Sequence, residues 1–146
     1  MDKLIYDRTE NDVKNKTDKG YHNISDLNRV EEWCAYLAIL LSSYNYKVDI
    51  KVKTNWQLTD IRKASEMERI RKNITLLKST YCNIPQNLSV PSILTPININ
   101  NANDIERILD NINITIINME NCFIHCGVAR AGQNRIWQQR FRCKSN

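Results

Sequence analysis

From residue 27 to residue 44, apolar side chains return every three or four positions: Leu27, Val30, Cys34, Leu37, Leu41 and Tyr44, with Trp33 and Leu40 widening the stripe. That spacing lines one face of an α-helix, and with Ser25 as N-cap it predicts a central helix over 26–44. A shorter, two-turn helix should precede it. Thr9 with Asp12 three residues on supplies an N-cap pair, and Gly20 can adopt the positive φ that terminates a helix. Ser65 with Glu68 reads as a capping box before the stripe Met67, Ile70, Ile74, Leu77 and Tyr81, which predicts a second long helix over 66–82. Starting at Asn103 or Asp104, the residues Ile105, Ile108, Leu109, Ile112, Ile116, Met119 and Phe123 mark a third over 103–123. Ile114 and Ile117 suggest burial on its other side, as for a helix packed between others.

Two stretches alternate instead. Val48, Ile50 and Val52 face one way and Lys47, Asp49, Lys51 and Lys53 the other, the pattern of a half-exposed strand. Near the end, Trp137, Phe141 and Cys143 fall on one side and Gln138, Arg140 and Arg142 on the other. With Gly132, Gln133 and Asn134 as turn residues, 127–146 reads as a β-hairpin whose natural partner is the 47–53 strand. Between the helices, 83–99 contains Pro85, Pro91 and Pro96 and no charge, yet Ile84, Leu88, Val90, Ile93, Leu94 and Ile97 are apolar. An ordered loop lying across the helices accounts for that composition better than a linker does. The expected fold is mostly α (α+β): three long helices, a short N-terminal helix and a small antiparallel β element including the C-terminal hairpin. At 146 residues it fits a single domain, 1–146, able to bury a core without disulfides or metal.

Charge singles out the end of the chain. Of 21 Lys and Arg, five (Arg130, Arg135, Arg140, Arg142 and Lys144) follow Glu120, the last acidic residue, so the formal charge of +5 resides there. No apolar run approaches the length of about 18 residues that a membrane helix needs, and the charged start "MDKLIYDRTEND" does not resemble a signal peptide. Neither a membrane span nor Sec export is expected. Five cysteines, odd in number and irregular in spacing, imply reduced thiols in a protein made in the cytosol. The five Asn-x-Ser/Thr matches follow from 19 asparagines and have no meaning without secretion.

Candidate chemistry is sparse. His22 and His125 are the two histidines, no motif places a nucleophile beside a base, and Gly20, Gly127 and Gly132 are too few for a phosphate-cradling loop. The expectation is a protein that is not an enzyme and uses no cofactor. "CFIHC" brings together Cys122, His125 and Cys126, with Cys143 further on. Thiolate and imidazole suit Zn²⁺, but Cys143 lacks a paired ligand, so small packing residues are the favoured reading and metal binding stays open. For the basic tail the favoured role is a protein interface, with Arg130, Arg135, Trp137, Gln138, Arg140, Phe141 and Arg142 as its residues. The alternative is a nucleic-acid-binding accessory protein that uses the same tail; five charges on an otherwise balanced chain disfavour it.

Three segments carry a resemblance: "LIYDRTENDV", "KGYHNISDLNRVEEWCAYLA" and "VKTNW", joined by "NANDIERIL". In this order they resemble a small family encoded in the tail gene regions of phages and prophages of Gram-positive bacteria, found as free-standing proteins or within tail-fibre-like and baseplate-associated proteins. The likeness covers most of the chain, although the ending is more basic than in the family. It implies a virion tail component, made in the host cytoplasm, that docks to other tail or baseplate proteins in several symmetric copies. It supplies no catalytic or ligand residue. Within the resembling segments, Asp7, Arg8 and the stretch from Asp26 to Arg29 could tie the N-terminal arm to the central helix through an Arg-carboxylate pair, with ordinary capping as the alternative.

Overall fold

A computed structural model of the protein describes residues 1–80, 88–92, 94 and 97–122, with side chains to residue 119. The predicted hairpin and interface residues over 127–146, the Cys122, His125, Cys126 and Cys143 cluster, and Ile84, Ile93, Tyr81 and Phe123 lie outside the described side chains. Among the described residues the chain is mostly helical: α1 (Glu10–Lys14), a 3₁₀ turn (Asp18–Gly20), α2 (Ile24–Ser43), α3 (Ala64–Thr80) and α4 (Ile99–Cys122). Each of the three long helices packs against the other two.

The stripes read from the sequence form the core. Leu27, Leu37 and Leu41 of α2, Ile70, Ile74 and Leu77 of α3, and Ile108, Leu109, Ile112 and Ile116 of α4 are fully buried. Leu88, Val90 and Ile97 pack against them and Leu94 is buried, so the described part of 83–99 lies on the helices as expected. Ile114 and Ile117, expected to be covered, are 45% and 44% exposed. The apolar face of α4 is therefore a single stripe.

Helix ends are displaced from their predicted positions for identifiable reasons. The N-cap of α2 is Asn23, whose N–H donates to Asp26 Oδ2 at 2.6 Å, and Ser25 lies inside the first turn. α4 begins four residues before Asn103, because the Asn98 side-chain oxygen accepts from the Asn101 N–H at 2.7 Å. Ser65 also lies inside its helix, and Glu68 pairs with Arg71 instead of capping. Only the Thr9–Asp12 capping box sits where it was predicted, on a helix of 5 residues rather than two turns.

The predicted 47–53 strand does not form, and no strand occurs among the described residues. Val48 and Ile50 pack on the core as the alternation requires, but Val52 is 38% exposed while Lys53 is half-buried. Side chains from the helices take the place of a partner strand. Lys53 N–H donates to Glu31 Oε2 at 2.9 Å, and the Lys51 carbonyl accepts from Arg69 Nη1 at 2.6 Å and Asn73 Nδ2 at 2.7 Å.

α1 and α2 end in the same way. Lys16 (φ 52°) and Asn45 (φ 67°) adopt the left-handed conformation just past the helix. In each case the next N–H reaches back to the last turn, Thr17 to the Asp12 carbonyl and Tyr46 to the Leu41 carbonyl, both at 3.0 Å. Gly20, predicted as the terminator of α1, has another role: a Cβ there would lie 2.3 Å from the Asp12 carbonyl oxygen. Lys16→Gly is expected to stabilise by about 1 kcal/mol, the left-handed penalty of a side chain. Gly20→Ala should destabilise by about 1–3 kcal/mol through overpacking against backbone. Urea unfolding of the two variants tests both signs.

Candidate functional site

The N-terminal arm, residues 1–9, has no regular structure and is held by buried charge. Arg8 and Arg29 come together with Asp26 and Glu106, all four at most 6% exposed. Arg8 Nη2 donates to Asp26 Oδ1 at 3.0 Å and to Glu106 Oε1 at 2.7 Å. Arg29 binds Glu106 through Nε at 3.0 Å and Nη2 at 2.8 Å, and also binds Asp26 Oδ1. Backbone joins the set: Ile5 N–H donates to Glu106 Oε2 at 2.6 Å, and Arg8 Nη1 donates to the Ile5 carbonyl. One turn away Asn103 grips the Arg8 backbone twice, accepting from its N–H at 3.1 Å and donating to its carbonyl at 2.9 Å. The expected link between Arg8 and the Asp26 to Arg29 stretch is present. Asp7 is not part of it, and pairs at the surface with Lys19 at 2.7 Å.

Two positive and two negative groups balance. For Arg29, burial works against the charge, but the bonds to Glu106 and Asp26 outweigh it and raise its pKa. For Asp26, burial raises the pKa, and the bonds from the Asn23 amide and Arg29 pull it below the usual carboxylate value.

A second node is centred on Glu31, which is 1% exposed. Arg69 Nη2 and the Trp56 indole N–H donate to its Oε1 at 2.5 Å and 3.1 Å, and the bond to Glu31 raises the Arg69 pKa. Asn28 pairs with the Trp56 backbone, accepting at 2.8 Å and donating at 3.2 Å. The chain after Trp56 is fixed by Asp60, whose Oδ2 accepts from the Gln57 N–H at 3.0 Å and from Lys53 Nζ at 2.8 Å. Lys53 Nζ also sits 4.1 Å from the Trp56 ring centroid. This braced turn holds Leu58 93% and Ile61 77% exposed.

Glu31, Glu106 and Asn73 were not singled out by sequence reasoning, yet a signal existed. Each lies within a helical apolar stripe, with apolar residues three and four positions away on either side: Leu27 and Cys34, Ala102 and Leu109, Ile70 and Leu77. Polar groups so placed must be buried and partnered.

His22 is half-buried, and its Nδ1 is shielded without a hydrogen-bond partner among the described residues. Burial pushes its pKa down to about 4. Burial likewise pushes the Cys34 thiol far above its usual range, which removes it as a nucleophile. Among the described residues no group of His, Cys, Asp and Glu is arranged to hold a metal, and no helix is long and apolar enough to cross a membrane.

No family model, curated protein or solved structure matches this chain.

Glu106→Ala leaves two buried guanidinium groups sharing the single carboxylate of Asp26 and is expected to cost about 3–5 kcal/mol, whereas Asp7→Ala, at an exposed pair, should cost less than about 1 kcal/mol. Paired denaturant titrations measure the contrast. His22 is neutral in the folded chain down to pH about 4, while the unfolded imidazole takes up its proton near 6.5. Stability should therefore fall as pH drops from 6.5 to 4, with the loss from Asp26 following below 3.8. Across that range the melting temperature of wild type should fall more than that of His22→Gln, which has no group to titrate there.

Proposed function

We propose that this chain is a structural component of a phage tail or tail-like particle, made in the host cytoplasm and incorporated by docking to other tail, fibre or baseplate proteins in several symmetric copies. The family resemblance motivates the reading. The observation that carries it on the described residues is the braced turn after Trp56, with Leu58 and Ile61 held at 93% and 77% exposure. A turn whose backbone is already fixed loses little entropy on association, and rigidly presented aliphatic side chains suit a protein interface. Non-catalytic work is consistent with the buried carboxylates, which are engaged in ion pairs, and with the sealed Cys34 thiol.

The basic tail, with Arg130, Arg135, Trp137, Gln138, Arg140, Phe141 and Arg142, extends the proposed interface. Leu58→Ser with Ile61→Ser, two changes outside the core, should leave the melting temperature unchanged within a few degrees and abolish recovery of the protein in purified tail particles. Deletion of 128–146 should do the same. Normal incorporation of both variants would overturn the interface reading. Binding of the intact protein to DNA with affinity that falls steeply as salt rises, and that vanishes in Arg140→Glu with Arg142→Glu, would favour the nucleic-acid role instead.

A further inference from the structure

The segment after α2 has the side-chain alternation of a strand but backbone partners on one edge alone. Val48 and Ile50 pack on the core while Lys47, Asp49 and Lys51 are exposed, as an extended chain requires. The Lys51 carbonyl and the Lys53 N–H point toward the helices, where Arg69, Asn73 and Glu31 hold them. In an extended chain the backbone groups of successive residues point to opposite edges, so those of Val48, Ile50 and Val52 point away from the helices. None of these three residues makes a hydrogen bond among the described residues. Backbone groups without a protein partner are left to water, and a row of them is a template for another strand. Val52, a β-branched residue on this edge, is 38% exposed.

The charges along this edge say what fits it. Lys47, Asp49 and Lys51 alternate in sign, and none is in an ion pair among the described residues, whereas Lys53 is bound to Asp60. Such a pattern is complementary to itself. When two copies meet edge to edge and antiparallel, with Ile50 opposite Ile50 on a twofold axis, Asp49 of each faces Lys51 of the other. In the same register Val48 of each copy lies opposite Val52 of the other, so every residue of the free edge exchanges both backbone bonds with another and the exposed Val52 is covered. Neighbouring registers do worse. An axis at Asp49 or at Lys51 sets like charges opposite each other, and an axis at Val48 brings Ile50 against Tyr46, whose N–H is already bonded to the Leu41 carbonyl.

We propose that two copies of this chain associate by antiparallel pairing of their 48–52 edges about a twofold axis at Ile50, with Asp49 and Lys51 pairing across it. The proposal is independent of the tail-particle reading, and its failure would leave that reading untouched. A pairing of about five residues buries less than the roughly 1,200 Å² of a stable interface, so a dissociation constant on the order of 0.1–1 mM is expected for the isolated full chain. NMR across that concentration range tests it. The amides of Val48, Ile50 and Val52 should shift with concentration along one monomer–dimer curve, and those of Asp49 and Lys51 much less. In a mixture of isotope-labelled and unlabelled chains, a contact between the Asp49 and Lys51 α-protons should cross from one copy to the other, because these residues are about 4.5 Å apart across the pair and about 6.5 Å apart along one strand. Asp49→Lys and Lys51→Asp alter exposed side chains and should each keep the melting temperature within a few degrees while weakening self-association at least about tenfold. Mixed together, the two variants regain opposite charges at both positions and should pair as wild type does. Shifts independent of concentration would overturn the proposal, as would protection of the Val48, Ile50 and Val52 amides from exchange in the dilute chain, which would mean that the edge is filled from within. Association that survives in both single variants, or that the mixture does not restore, would place the contact elsewhere.

Discussion

A single carboxylate, that of Glu106, holds three parts of the chain in one geometry. It accepts from the Ile5 amide in the arm, from Arg8 at the arm's end and from Arg29 on α2, while its own backbone belongs to α4. Leu4, next to Ile5 in the arm, is buried in the core. A buried ion cluster contributes less net stability than an apolar cluster of the same volume, since desolvation offsets most of the attraction. What it supplies is register: an apolar arm could slide along the groove, whereas a forked guanidinium between two carboxylates has one fitting position.

Glu31 applies the same logic on the other side of α2. It binds the Lys53 amide, the Trp56 indole and Arg69, so the segment after α2 is stitched to α2 and α3 by side chains. The two glutamates thus perform, for two irregular segments, the work that β-pairing performs elsewhere: they satisfy buried backbone donors. The braced turn bearing Leu58 and Ile61 is held by the second of these anchors.

Most of the helical core was legible because three- and four-residue spacing reports burial directly, and Leu37, Ile74 and Ile112 lie where the stripes put them. Helix starts were less legible, since Asn23, Ser25, Asn98 and Asn103 are all competent caps and tertiary contacts choose among them; Asn103 is drawn into its helix to bind the Arg8 backbone. The alternation over 47–53 correctly signalled one half-buried face at Val48 and Ile50. It could not say whether the backbone would meet another strand or, as here, Glu31, Arg69 and Asn73. Arg8, Asp26 and Arg29 were visible as a set, but their key partner Glu106 was not among the residues singled out.

The separation in sequence between the arm and its anchor has a consequence for biosynthesis. Ile5 and Glu106 are 101 residues apart. At translation rates of roughly 5–20 residues per second, the arm emerges several seconds before its acceptor exists. During that interval Arg8 can meet Asp26, 18 residues on, but not Glu106. The arm, made before its anchor, is thus among the last segments to settle, and a ribosome-bound chain halted before α4 would carry its arm undocked, open to a protease or a chaperone.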